Sequence, residues 1–236
     1  MNLLLFLNSD THSTTALSLL LPTLKNHKLK IILSQKVGNV DDLPRELIAM
    51  KKVEQDGVTD LFVQLAANLN SEISSYENVN SEIALQDFQK FSPDLIISIR
   101  FGQIFKQALI NIPQHGVLNL HSGILPNYRG ILATFWAILN GEKKIGATLH
   151  FITDSGIDTG DVIGFSESEI DWNSTLYSNI NRLYEGGCAL LSLTIEKISA
   201  GEKIATKKQS EFGTGKYFSY PKSTDVKKFL QLMPLV

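Results

Sequence analysis

Residues 116–130 run Gly116-Val117-Leu118-Asn119-Leu120-His121-Ser122-Gly123-Ile124-Leu125-Pro126-Asn127-Tyr128-Arg129-Gly130. Val117, Leu118 and Leu120 form the apolar run of a buried strand. Asn119 and His121 are two apart, so in an extended strand they point to one face. The glycine, proline and glycine that follow turn the chain out of the strand at once. Polar residues at the end of a buried strand, facing a loop, are the layout of an open α/β site.

The chemistry open to this pair is narrow. An imidazole accepts a proton near neutral pH, and a carboxamide N–H donates to an oxygen that becomes negative in a transition state. Together they suit attack on a carbonyl. A group to set the charge and tautomer of the imidazole is available downstream, in Thr153-Asp154-Ser155-Gly156-Ile157-Asp158-Thr159-Gly160-Asp161. Taken alone, an Asn-x-His at a strand end is more often a satisfied turn than a catalytic pair.

Working outward, Met1–Leu7 reads as a buried first strand. It has neither the basic start nor the small-residue cleavage site of a signal peptide, and no stretch is long enough to span a membrane. Ser13–His27 reads as a helix that Pro22 should bend or break, and Leu29–Leu33 as a second strand, giving a βαβ unit. His12, in the turn between them, reads as a solvated or capping residue. No Gly-x-Gly-x-x-Gly follows the first strand, which argues against a nicotinamide site. Pro44–Val53 and Val58–Leu69 read as helices broken at Asp56-Gly57, Asn70–Asn80 as an exposed connection, Ser81–Phe91 as a helix and Leu95–Ile99 as a strand. Leu132, Phe135, Trp136 and Leu139 form one apolar helical face. Ile145–Ile152 alternates as a strand, with Thr148 and His150 on the face opposite Ala147, Leu149 and Phe151. His150 reads equally as a site residue or a packed core histidine. Ser174–Ala200 reads as a long helix, interrupted at Gly186-Gly187 and capped by Asn173 or Ser174. Ile204–Gln209 and Lys216–Tyr220 read as a hairpin, followed by a short helix at Thr224–Leu232.

The 236 residues, 43% apolar and 19% charged, suit one large α/β domain with a small appendage. A division into residues 1–200 and 201–236 follows. The net charge of -2 carries no nucleic-acid footprint. The single cysteine, Cys188, reads as a buried structural thiol and fits a cytoplasmic setting. None of the five histidines has ligand spacing with a carboxylate or thiolate, so no metal is expected.

Asn-Leu-His, then Gly-Ile-Leu-Pro-Asn-Tyr-Arg-Gly, then Gly-Ile-Asp-Thr-Gly-Asp resembles the folate-dependent formyltransferases, strongly over 95–164 and weakly in the amino-terminal region. The resemblance implies a Rossmann-like formyltransferase fold, a mostly parallel sheet with helices on both faces, carrying the hairpin as an appendage. It implies a catalytic trio of Asn119, His121 and Asp158, and N10-formyltetrahydrofolate as co-substrate. It places Arg100, Phe101, Gly102, Gly123, Ile124, Leu125, Pro126 and Asp154 around the folate, and Asn8 and Ser9 near the acceptor. Gly123-Ile124 stands where many relatives have Ser-Leu. Arg100 is less usual at its position, and reads as an anion contact or an ordinary ion pair.

The wording from Asn119 through Ala133-Thr134-Phe135-Trp136 is most similar to the nucleotide-sugar N-formyltransferases, in particular those acting on dTDP-4-amino-4,6-dideoxyglucose for surface polysaccharides such as O-antigen. On that reading His121 accepts the amine proton, Asn119 donates to the developing oxyanion, and Asp158 holds the imidazole. Arg129, with Asn8, Ser9 and Arg100, supplies donors for the pyrophosphate. Tyr220 and its aromatic neighbours stack on the base or pack within the hairpin. The resemblance implies a homodimer. The carboxyl-terminal part reads as too short for the barrel-like domain of transfer-RNA formyltransferases. Other readings are another amine acceptor (a UDP-amino sugar or glycinamide ribonucleotide), hydrolysis of formyltetrahydrofolate, and a folate- or nucleotide-binding module without turnover.

Overall fold

The structure, a computed structural model, describes residues 1–34 and 43–236. The elements in order are β1 (Asn2–Asn8), α1 (Thr11–Leu24), β2 (Lys28–Ser34), α2 (Arg45–Gln55), α3 (Val58–Asn68), β3 (Glu72–Ser74), α4 (Glu82–Phe91), β4 (Leu95–Ile99), α5 (Gln107–Ile110) and β5 (Val117–His121). There follow β6 (Arg129–Gly130), α6 (Ala133–Leu139), β7 (Lys144–Ile152), β8 (Val162–Glu169), α7 (Leu176–Ser199), a 3-10 turn at Gln209–Glu211, β9 (Tyr217–Phe218) and α8 (Ser223–Phe229).

Seven strands form one sheet in the order β3-β2-β1-β4-β5-β7-β8. The first five are parallel, and β7 and β8 add antiparallel strands at the far edge. The centre of the sheet is β1, because Leu3 to Leu7 are wholly buried on both faces. Leu3, Leu5 and Leu7 pack in a cluster with residues of α1, α3, α6 and α7. Leu4 and Phe6 pack oppositely, with Ala84 and Phe88 of α4 and Leu109 and Ile110 of α5. The predicted mostly parallel sheet with helices on both faces is thus present. Chain order reverses between β1 and β4, and a crevice at the carboxyl ends of such strands is where open α/β sheets hold ligands.

Several local expectations are corrected. Helix α1 runs through Pro22, which lies in its last turn, so the ring costs the one N–H bond to the Ser18 carbonyl and disturbs little helix beyond it. Asn70–Asn80 contains the short edge strand β3. Helix α7 is continuous across Gly186-Gly187, and its cap is Thr175, whose side chain accepts from Ser178 N–H. The two glycines let this helix lie against the sheet: a Cβ at Gly186 would stand 2.0 Å from Ser166 Oγ, and one at Gly187 3.1 Å from Leu120. Neither β6 nor β8 nor α5 was foreseen.

The carboxyl-terminal hairpin does not form. Lys207 bridges Val162 at the start of β8, and β9 pairs in parallel with β6 rather than with 204–209. Both halves find backbone partners on the body of the protein, so the arm is a strap. Phe218, Val226, Phe229, Met233 and Leu235 join the same apolar cluster as the sheet. His12 is not solvated: it is fully buried, between Glu54 and Tyr177. Among the described residues no helix is long and apolar enough to cross a membrane.

Candidate active site

Asn119 and His121 end β5, and the antiparallel register of β7 sets His150 directly opposite Asn119. His150 is thus both packed, at 1% exposed, and beside the Asn119 carboxamide at the cavity. Its Nδ1 is 2.8 Å from the Phe151 carbonyl oxygen. A carbonyl can only accept, so Nδ1 carries the proton and Nε2 presents a lone pair in the neutral ring. Asn119 Nδ2 lies 3.0 Å from that Nε2 and 3.3 Å from Asp158 Oδ1. Both hydrogens of the carboxamide are therefore turned toward known acceptors, which fixes the amide's orientation.

His121 is set by the same logic. Its Nε2 is 2.6 Å from the Tyr128 carbonyl oxygen, so Nε2 carries a proton and Nδ1 is the basic nitrogen. Nδ1 stands 3.5 Å from Asp158 Oδ2. The loop after β5 wraps tightly over the ring. A Cβ at Gly123 would lie 2.4 Å from Ala133 Cβ and 2.7 Å from His121 Nε2. Thr148 Oγ1 ties the loop down, donating to Gly123 O at 2.5 Å and accepting from Leu125 N–H at 3.1 Å.

Asp158 arrives from the connection between β7 and β8 with a backbone φ of 53°, in the left-handed region that only a well-held non-glycine residue keeps. Gly130 N–H donates to its Oδ2 at 2.8 Å, and His150 Nε2 is 3.6 Å from its Oδ1. Burial by itself would raise the pKa of this carboxyl. The neighbouring His121 and His150 rings and the Gly130 N–H outweigh burial and hold it well below the usual carboxylate range. Asp158 is therefore an anion between two imidazoles at any pH near neutral.

A cavity of about 810 Å³ opens over this group. Asn119, His121, His150 and Asp158 line it, with Ser98 of β4, Leu47 and Met50 of α2, Ile131, and Tyr217 and Ser219 to Lys222 of the strap. Of the residues expected around a folate, Arg100, Phe101, Gly102 and Asp154 line the cavity, but Gly123, Ile124, Leu125 and Pro126 do not. Their loop packs against the His121 ring and β7 instead, so it backs that imidazole. Asp154 braces its own loop, its Oδ1 accepting from Gly156 N–H and Thr159 Oγ1.

Of the expected acceptor contacts, Asn8 and Tyr220 reach the cavity, and Ser9 and Arg129 do not. Arg129 is turned away: its Nε and Nη2 donate to Gln209 Oε1 at 3.0 and 2.7 Å. Arg100, with φ of 56°, gives its guanidinium to Asp10 at 2.8 Å and Glu54 at 3.2 Å. The ion-pair reading of Arg100 is the one observed. Tyr220 Oη accepts from Lys51 Nζ at 2.7 Å. Phe218 stacks on Tyr128 and Trp136 as packing. Sequence reading found Tyr220 but missed α2 and Gln209 as neighbours of the site; neither carries a local motif, and only the fold brings them here. Among the described residues no group of three or more His, Cys, Asp or Glu is arranged to hold a metal ion.

A doubly wound α/β sheet with an Asn, a His and an Asp converging at a crevice beside its switch point defines a class, and the comparisons make it specific. Residues 5–195 match the formyl transferase family, and the chain belongs to that family. It is 41% identical over 128 residues to the methionyl-tRNA formyltransferase of Clostridium tetani, which covers 54% of this chain and 41% of that one. The chain thus spans less than half the length of that relative. In fold it is similar to glycinamide ribonucleotide transformylase 1 of Symbiobacterium toebii, with a TM-score of 0.65 at 16% identity over 88% of this chain and 92% of that one. It is also similar to the N-formyltransferase of Helicobacter canadensis in complex with folinic acid and dTDP-3-aminofucose, with a TM-score of 0.61 at 21% identity over 98% and 80%.

Proposed function

We propose that this protein transfers the formyl group of N10-formyltetrahydrofolate to the amino group of a dTDP-linked 4-amino-4,6-dideoxyhexose, dTDP-4-amino-4,6-dideoxyglucose. The observation that carries the transfer reaction is the convergence of Asn119, His121 and Asp158 beneath one cavity. The cavity's volume is that of a small-molecule site. Membership of the formyl transferase family supports the donor, and the sequence wording around Asn119 supports the sugar acceptor.

The chemistry follows from the atoms in place. The acceptor nitrogen bonds to the formyl carbon, and His121 Nδ1 takes the proton that this nitrogen sheds. Asp158, anionic throughout, stabilises the imidazolium so formed. Asn119 Nδ2–H donates to the formyl oxygen as it becomes negative. Of its two present bonds, the longer one to Asp158 is the one exchanged for that oxygen. Collapse breaks the bond from the carbon to the folate nitrogen, which leaves with the proton held by His121.

A second acceptor class is favoured by the identity to methionyl-tRNA formyltransferases: the α-amine of an aminoacyl-tRNA. One assay separates the two. Release of tetrahydrofolate is followed with dTDP-4-amino-4,6-dideoxyglucose, a UDP-amino sugar, glycinamide ribonucleotide, methionyl-tRNA, and no amine. Turnover with the dTDP sugar in large excess over the others supports the reading. Turnover with methionyl-tRNA alone replaces the acceptor, and turnover without amine makes the protein a hydrolase. No turnover under any condition ends the transfer reading.

A further inference from the structure

Gln209 lies beyond the 5–195 region that matches the family, in the strap, and is 5% exposed. Every hydrogen-bonding atom of its side chain is engaged. Its Nε2 donates to the carbonyl oxygens of Asp158 at 2.7 Å and Gly160 at 2.8 Å. Its Oε1 accepts both hydrogens that Arg129 offers. Arg129 in turn precedes Gly130, whose N–H holds the Asp158 carboxylate. One carboxamide thus ties together the backbone of Asp158 and the strand that grips its side chain. The segment is anchored on both sides: Lys207 exchanges two backbone hydrogen bonds with Val162 at 2.8 and 2.9 Å, and Lys216 donates to Pro126 O at 3.0 Å.

We propose that Gln209 is a positioning residue for the transfer reaction, holding Asp158 in its left-handed conformation at the distance from His121 that the reaction needs. The proposal rests on the formyl-transfer reading above. Aspartate enters the left-handed region more readily than most residues, but the conformation still costs free energy and persists where contacts hold it. The two N–H groups of Gln209 supply such contacts by fixing the carbonyls on either side of Thr159. Asp158 is therefore set by a residue of the strap, and the site is complete only when the strap is docked.

The test uses Gln209→Glu in the full chain. Glutamate keeps the size and the acceptor for Arg129 but has no hydrogen to give the two carbonyls. The expected result is a fall in kcat of about tenfold or more, as for an ångström-scale misplacement of a reacting group, with KM for both substrates unchanged. Backbone amides of residues 154–161 should exchange with deuterium faster than in the parent, while those of β1 and β4 do not change. A folded variant with parental kcat, or with parental exchange in 154–161, overturns the proposal. So does a rise in KM with kcat intact, which would mark a role in binding. If the variant does not fold, the parent decides. Under increasing denaturant its segments 154–161 and 207–211 should lose protection together, and separate openings overturn the proposal. If the parent forms no formylated product, the transfer reading fails, and the exchange measurements still decide whether Gln209 holds Asp158.

Discussion

Nδ1 of His121 lies 3.5 Å from Oδ2 of Asp158, while the other nitrogen of the same ring faces the carbonyl oxygen of Tyr128 at 2.6 Å. The carbonyl fixes the proton on Nε2, so the nitrogen next to the carboxylate is the one with a lone pair. His121→Asn removes that base and fits the space. Formyl transfer should fall by at least about a hundredfold, in the range for loss of a general base, with an unchanged circular dichroism spectrum. Parental turnover in the variant would remove His121 from the mechanism.

Gly160 lies where the Asp158 loop crosses β7. A Cβ there would stand 1.8 Å from the Phe151 carbonyl oxygen, a backbone atom that cannot swing aside. Gly160→Ala should destabilise the fold by about 1–3 kcal/mol, the usual cost of overpacking, and should lower activity as the loop carrying Asp158 shifts. Thermal unfolding and a turnover assay check both. A variant as stable and active as the parent would show that the loop relaxes without consequence.

Asp10 caps α1 and pairs with Arg100. Burial would raise its pKa, but the Arg100 guanidinium, followed by His12 and Asn8, overcomes that and holds the carboxyl below the ordinary range. A pKa lowered by folding adds stability that is complete above the unfolded value, about 4 for aspartate, and is lost as the pH falls through the native value. Asp10→Asn keeps the cap but leaves the buried Arg100 guanidinium with Glu54 as its one remaining carboxylate, so it should cost about 1–3 kcal/mol at neutral pH. Its melting temperature should also fall less steeply than the parent's below about pH 4. Parallel melting curves for the two proteins across the acid range would refute the linkage.

Cys188 is buried in α7, and burial pushes its thiol up to about 12. The thiolate is the reactive form, so a native sample should resist iodoacetamide at neutral pH and react fully once denatured. Mass spectrometry of the labelled protein reads this directly. Rapid labelling of the native protein would place the thiol at the surface.

The sheet was readable because β1, β4 and β5 are apolar runs with clear punctuation, and a strand buried on both faces leaves no other pattern. Asn119 and His121 were readable because a period of two and a following turn place both on one face at the end of the strand. His150 was half readable: its face followed from alternation, but its place beside Asn119 required the antiparallel register of β7. The place of the loop at 123–126 was not legible because what draws it behind the imidazole is Thr148 on β7 and the close approach of Gly123 to His121. The hairpin was misread because two strand-like runs joined by glycines carry the same local signal whether they pair with each other or with distant edges.

Local patterning determined the buried strands, the βαβ unit at the start of the chain, and the carboxamide and imidazole at the end of β5, since burial period and turn chemistry act over a few residues; the doubly wound sheet followed from the resemblance of the motifs. Only the tertiary structure decided that Asp158 stands between two histidines, that Arg100 is consumed by Asp10 and Glu54, and that the strap carrying Gln209 closes over the site. Those arrangements depend on backbone groups and charges brought together from distant parts of the chain. What selects them is the need of each buried donor, acceptor and charge for a partner, and no stretch of sequence names that partner in advance.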